Sequence, residues 1–450
     1  MKTPFYIKLY TFSIVFEPLL FFILGDQSYT GISLNIGRVF QLFFIVYLFI
    51  IKLPLYKINI LDYKYFYFFV YFFISVFAIL IGFSHGIFND VPKYDINYAS
   101  GLISRVVRSN YFRPFFEYFI LFYNFVFFVI LPQFIFKNKY YINYLYKIFK
   151  RVFIFCLFIG YFDLIVQFFF NLEFLPRDMS EGRTVGFRFH GIAGEPRDAF
   201  VYLVFSLGVL TLLRYFLFKK YLPKIVIYFS ILASLLTQSL SGLFGIFIGF
   251  IFLAVKLLRE ISIKNLFLIL FVFVLFLSII YVSFISSQRI QDYYEAFENF
   301  YQILRDGETI PPLIAPQMVN VYPIWDLYIK AIQGNFIPLF FGNGFGSASA
   351  INLKLGNGFW GSLSNPHSQL VRLVYESGLI GTLVFSISFI LPISKLLNTN
   401  NQISVSFKRY ILFISFLILG LNLGQRSTTL FIYFGIFLML FNNFKFKYET

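Results

Sequence analysis

The chain has 450 residues, of which 59% are hydrophobic and only 13% charged, and its formal net charge is +16. Soluble domains carry about 25% charged residues, so this balance, with a mean hydropathy of +0.77, excludes a cytosolic enzyme, a disordered chain and a secreted disulfide scaffold. A single Cys, Cys156, cannot form an intrachain disulfide, and three His with neither HExxH nor CxxC leave little for zinc to hold.

Twelve apolar runs can be drawn in chain order: 5–25, 36–53, 64–86, 112–136, 150–171, 197–217, 223–238, 240–257, 264–286, 367–394, 407–424 and 427–445. Backbone groups in hydrocarbon must be satisfied internally, so these runs are expected to be membrane-spanning helices. The first contains Glu17 and has no small-residue cleavage site, so it reads as an uncleaved span. The seventh and eighth are short and hinge at Thr237–Gly242, where they could form one broken hairpin. The expected fold is an all-α polytopic membrane protein, a single integral membrane domain over 1–450. A long loop at 287–366, between spans nine and ten, is expected to fold as a lid.

Lys and Arg in alternate short connections set the orientation. Lys52, Lys57, Lys64, Lys137, Lys139, Lys147, Lys150, Arg151, Arg214, Lys219, Lys220, Lys224, Lys256, Arg259, Lys264, Lys395, Lys408 and Arg409 mark one side, with the terminal Lys2, Lys8, Lys445 and Lys447. That side is read as cytoplasmic, with both termini on it. The opposite side carries the longer loops, about 87–111, 172–196 and 287–366. Its cations are 3 Lys against 12 Arg, while the cytoplasmic set is 18 Lys and 4 Arg. The composition otherwise shows the Lys, Asn, Ile and Phe excess of AT-rich codons, which predicts the reverse for that face. Arg binds phosphate bidentately and stays charged, so an outward site for a phosphorylated, membrane-borne ligand would explain the asymmetry. The plainer alternative is pairing with outer acids such as Asp178, Glu181, Glu195, Asp198, Asp292 and Glu295.

Two constellations carry most of the chemistry. In EGRTVGFRFHGIAGEPRDAF (181–200) a glycine-broken loop with Arg183, Arg188 and Arg197 enters a helix at Glu195–Pro196, the logic of a phosphate cradle. His190 here, and His85 in the first outer loop, read as ordinary polar loop residues. In FGNGFGS (341–347) followed by NPHSQLVRLVYESGLIG (365–381), Asn365 and Pro366 start a helix with His367 in its first turn. A helix N-terminus disfavours imidazolium, and a neutral His near an anionic lipid head suits a general base. Arg372 lies five residues on, and Glu376, on the same helix face, could hold its guanidinium in place. Otherwise His367 merely caps the helix and Arg372–Glu376 is a buried strut. Gly378 and Gly381 form a small-residue pair for close helix packing.

Weaker signals remain. QSLSGLFG (238–245) reads as helix packing or a cavity lining, and Arg289 as a phosphate ligand or an interface anchor. Arg105, Arg108 and Arg113 read as lipid-head anchors flanking span four. Trp325 and Tyr328 in the long loop could stack on sugar rings.

At FGNGFGS and NPHSQLVRLVYESGLIG the sequence resembles the O-antigen polymerase and ligase superfamily, most closely a Wzy-type polymerase. The matching positions are Gly342, Gly344 and Gly346, then His367, Glu376, Gly378 and Gly381; Val371 stands at the pattern's Leu position, with Leu370 one residue earlier the nearest match, and Ser368 stands where Asn is frequent. Arg188, Gly191, Glu195 and Pro196 look like the family's other outer-loop motif, and Arg183 with Gly194 fits an R-x10-G spacing of which no second copy occurs at Arg289 or Arg305. The resemblance implies a GT-C-like glycosyltransferase of the bacterial inner membrane, metal-independent and without cofactor. It would act at the periplasmic face on undecaprenyl diphosphate-linked oligosaccharide. His367 would be the base, with Glu195 as the alternative, Glu376 would orient Arg372, and Arg188, Arg289, Arg372 and Arg183 would hold the diphosphate. Implied partners are the lipid-linked oligosaccharide, membrane lipid and a chain-length regulator protein; nucleic acid is not among them. A ligase acting on lipid A-core and a flippase for the same lipid-linked glycan are the competing readings.

Overall fold

The computed structural model describes residues 3–19, 35–48, 62–89, 106, 109, 111–172, 174–175, 188–193, 196–237, 239, 274, 322–355, 368–400 and 403–445. The helices among them are α1 (Phe5–Phe16), α2 (Ile36–Leu48), α3 (Phe66–Ser84), α4 (Arg113–Ile135), α5 (Lys139–Phe170), α6 (Pro196–Phe218), α7 (Lys224–Leu236), α8 (Tyr322–Ile332), α9 (Ile337–Phe341), α10 (Ser347–Leu355), α11 (Gln369–Thr399), α12 (Val405–Asn422) and α13 (Thr428–Lys445). Six of these are long and apolar enough to cross a membrane: α3, α4, α5, α11, α12 and residues Arg197–Phe218 of α6. α1, α2, α7 and α13 are shorter apolar helices. The protein is therefore an α-helical membrane protein. The expected spans at 240–257 and, Val274 apart, 264–286 lie outside the described residues.

Two compact units are present: Met1–Lys64, Ile120–Gly249 and Phe389–Thr450 form unit one, and Tyr65–Phe119 with Phe250–Ser388 form unit two. Unit one is built around α6, which packs against α5, α7, α12 and α13. A helix apolar on every side belongs inside a bundle, and Phe205, Val209, Leu212 and Leu213 of α6 are fully buried. Gly208 lets α12 and α13 close onto it, since a Cβ there would meet Ile414, Ile418 and Tyr433. α5 starts at Lys139, eleven residues before the apolar run drawn at 150, because Asn138 caps it by accepting from the Tyr140 amide.

α4 contains a π-helical turn, Phe125–Ile130, followed by Pro132. Pro132 has no N–H to donate to the carbonyl four residues back, at Phe128, and ring clash is relieved by the wider turn. That carbonyl points at Gly435 of α13, where a Cβ would collide with it. The proline, the π turn and the glycine thus form one fitted joint between α4 and α13.

Unit two combines α3, the start of α4, α8–α10 and α11 as far as Ser388. α9 packs on α3, and α8 packs on α9 and α10. α11 is broken at Gly378, whose φ of 68° and ψ of −178° are not helical.

The joint at Gly435 makes a direct prediction. Gly435→Ala should destabilise the detergent-solubilised protein by about 1–3 kcal/mol through overpacking against backbone. Gly420→Ala, in open space on α12, should leave the midpoint of thermal unfolding unchanged or raise it.

Candidate functional site

The break in α11 decides the local architecture of unit two. In an unbroken helix the carbonyls of Tyr375 and Glu376 would accept from the amides four residues on; Gly378 interrupts that ladder. The glycine-rich segment after α9 takes them instead, with the Asn343 amide donating to Tyr375 O at 3.0 Å and the Gly344 amide to Glu376 O at 2.9 Å. The approach is so close that a Cβ on Gly342 would sit 2.6 Å from the Gly378 nitrogen, and one on Gly378 would sit 2.5 Å from the Gly342 nitrogen. Both residues have positive φ, which only glycine adopts readily. The other side of the segment lies on α3, at Ala78, Ile79 and Gly82.

A chain of four charges runs beneath this junction. Arg372 Nε lies 3.0 Å from Glu376 Oε1, the i,i+4 pairing expected along one helix face. At the start of α4, Arg113 Nε lies 2.8 Å from Glu117 Oε1, a second i,i+4 pair. Arg372 Nη2 joins the two by donating to Glu117 Oε2 at 2.5 Å. Arg113 Nη1 donates to Ser349 Oγ at 2.8 Å, and the Gly346 amide donates to Glu376 Oε1 at 2.9 Å. Arg372 is 3% exposed, and Glu117 and Glu376 are fully buried. Two guanidinium groups against two carboxylates leave no net charge, the condition under which buried ions are tolerated. Nε and Nη2 of Arg372 are committed, and its Nη1 edge is not, among the described residues.

The amides of Asn343, Gly344 and Gly346 are thus spent on α11, so the FGNGFGS glycines serve close packing rather than a phosphate cradle. The Asn343 side chain differs: it is fully buried, yet among the described residues neither Nδ2 nor Oδ1 has a partner. A buried amide left unpaired is costly.

Of the residues singled out in the sequence, Arg372 and Glu376 are brought together as described. His367, Arg289, Arg183 and Glu195 lie outside the described residues. Arg188 belongs to unit one, where its Nε donates to Thr237 O, at the end of α7, at 3.0 Å. Two expectations are corrected. Arg113 is not a lipid-head anchor but part of the charge chain. His190 is not a solvated loop residue: it is 1% exposed, and its Nε2 lies 3.0 Å from Asp163 Oδ2 on α5. Asp163 Oδ1 also accepts from the Phe174 and Leu175 amides at 3.0 and 2.8 Å. The Phe189 amide donates to Leu236 O at 2.9 Å, so Arg188–His190 is stitched to α7 on one side and α5 on the other.

Compared with known protein families and with characterised proteins, the chain matches none. The site therefore rests on its own geometry. Glu117 and Asp163 were missed in the sequence, although both are acids inside apolar runs, and an intramembrane ionisable residue is a functional or pairing signal by itself. Among the described residues no three His, Cys, Asp or Glu side chains gather where a metal ion could be held.

The charge chain predicts strong coupling. Glu117→Gln or Arg372→Gln alone should cost about 3–5 kcal/mol by stranding a buried partner. The double variant should cost less than the sum, by about 0.5–3 kcal/mol, in a thermal or denaturant double-mutant cycle. Additive losses would mean the two side chains do not interact.

Proposed function

We propose that this protein is a surface-polysaccharide polymerase of the O-antigen type, joining undecaprenyl diphosphate-linked oligosaccharide repeats by metal-independent glycosyl transfer. The observation that carries the reading is the bonding of FGNGFGS to YESG of α11. The described parts of the two segments on which the family resemblance rests are bonded together, with Arg372 and Glu376 at that junction. The finer architecture belongs to the same proposal: about twelve spans in a GT-C-like arrangement, both termini cytoplasmic, and a site facing the periplasm across the inner membrane.

On this reading the acceptor hydroxyl attacks the anomeric carbon of the donor sugar and gives its proton to His367. The new oxygen–carbon bond forms as the bond from that carbon to the lipid diphosphate breaks, with inversion. Arg289 and the uncommitted edge of Arg372 neutralise the departing diphosphate, an electrostatic role that is worth most in a dry site. Glu376 and Glu117 fix the Arg372 plane so that this edge points one way.

Transport of the same glycan is the competing reading, and charges buried within spans would suit it. Their position argues against it: Arg113 and Arg372 lie in the first turns of α4 and α11, at span ends rather than mid-membrane. Polymerase is favoured over ligase by the Arg183–Gly194 spacing and by a composition resembling that of surface-polysaccharide gene clusters.

Purified protein in lipid, given a synthetic undecaprenyl diphosphate repeat unit with EDTA present, should produce a ladder of longer lipid-linked glycans. His367→Ala and Arg372→Lys should each lower the rate by roughly 10²-fold or more. Transfer only to added lipid A-core would make the protein a ligase. No transfer to either acceptor, with the correct repeat unit supplied, would remove the enzyme reading.

A further inference from the structure

α8 carries a row of apolar residues on the side turned away from the protein. Its protein-facing side is mixed: Leu327 is buried against Ala348, Ile351 and Tyr375, and beside it Asp326 accepts from the Tyr375 hydroxyl at 2.7 Å and from Lys330 Nζ at 2.6 Å, with Lys330 over the Tyr375 ring at 5.9 Å. Its outward residues are apolar and one turn apart, with Ile324, Tyr328 and Ile332 exposed by 41, 54 and 64%. The exposed surface continues through Phe336, Ile337 and Phe340 at the start of α9 and along it. In water a contiguous patch of this kind marks an interaction surface.

Two contacts place the patch relative to the membrane. Asn335 Nδ2 lies 3.2 Å from Nε2 of His85, the residue that ends the spanning helix α3. Tyr375, which holds Asp326, lies in the second turn of the spanning helix α11. α8 and the turn after it are therefore fastened to the ends of two spans at one face of the membrane. The patch is also continuous with surface that meets lipid. Phe341 packs edge-on against Phe77 of α3 at 5.3 Å, and Phe73 and Leu80 beside it are 78 and 59% exposed on that span.

We infer that α8 and α9 form an in-plane membrane anchor, whose face of Ile324, Tyr328, Ile332, Phe336, Ile337 and Phe340 is seated in the lipid of the bilayer interface. An amphipathic helix of this kind lies along the headgroup–acyl boundary with its apolar side buried about 5–10 Å. Trp325 and Tyr328 have the amphipathic rings that favour that depth. Asp326 and Lys330, away from that face, are paired with each other and with Tyr375. The competing occupant is a second copy of the chain, and nothing about the bilayer assignment depends on the proposed glycosyl transfer.

The test uses the full chain with Cys156→Ser in lipid nanodiscs, labelled with an environment-sensitive fluorophore at Tyr328→Cys, Ile332→Cys or Asn398→Cys. Asn398 is exposed at the polar end of α11 and serves as the aqueous reference. The labels at 328 and 332 should emit to the blue of the label at 398. Phospholipids brominated on the upper acyl carbons should quench them by roughly twofold or more while sparing the reference. A Trp360→Phe variant gives the same reading from Trp325 with α8 unaltered, so misfolding of a labelled variant cannot mimic a negative result. Emission like that at 398, with no quenching by brominated lipid, would overturn the anchor. So would blue-shifted labels that ignore brominated lipid but respond to the number of copies per disc, which would assign the face to a second chain.

Discussion

A helix that breaks inside a membrane releases carbonyls, and hydrocarbon supplies no water to receive them. Unit two is organised by that constraint. Gly378 stops the ladder of α11, and the carbonyls of Tyr375 and Glu376 are taken by the amides of Asn343 and Gly344. The glycines at 342 and 378 let two backbones approach to a separation that any side chain would prevent. Once the loop is bound there, Gly346 reaches the Glu376 carboxylate, and α10 follows with Ser349 against Arg113. Each contact depends on the preceding one, so the break in α11 is an assembly point rather than a defect.

The four charges below it follow from the same solvent argument. A single guanidinium or carboxylate at this depth would be expelled or neutralised, whereas an alternating series of Arg113, Glu117, Arg372 and Glu376 satisfies itself. Such a series is weak evidence for stability, because apolar residues of the same volume could pack as well. Its physical consequence is orientation. Glu117 and Glu376 hold Arg372 at two nitrogens, which fixes the plane of the guanidinium and leaves one edge to act. An arginine held in that way loses little further freedom on meeting a ligand, which is the condition for pre-organised electrostatics.

Sequence reasoning found what is local and lost what is long-range. The Arg372–Glu376 pair was legible because four residues along a helix bring side chains together in any context. Glu117 is 255 residues from Arg372, and no periodicity reports a contact at that separation. Arg113 reads from sequence as a lipid-headgroup anchor, since a cation at a span end has that simpler explanation. Gly378 looks like a packing residue in sequence because E-S-G-L-I-G carries no signal that separates a tolerated helical glycine from a broken turn. His190 sits in a segment whose glycines and charges look solvated. Its burial depends on Asp163 reaching out of α5, and an acid in that apolar run was the one available hint. The long loop was expected to be a lid, and its described part forms helices that pack on α3 and α11.

Tyr375 shows how these levels meet in one residue. Its carbonyl receives Asn343, its hydroxyl donates to Asp326, and its ring lies beneath Lys330. The next residue, Glu376, holds Arg372 and Gly346. Interfacial helix, glycine loop and charge chain are therefore joined through two consecutive positions of α11, just before it breaks. With α8 and α9 resting in lipid, the depth of the membrane surface would be transmitted through Tyr375 to the plane of Arg372. Under the proposed glycosyl transfer the cations need to be held at headgroup level, and this linkage would set that height by packing rather than by the length of a flexible loop.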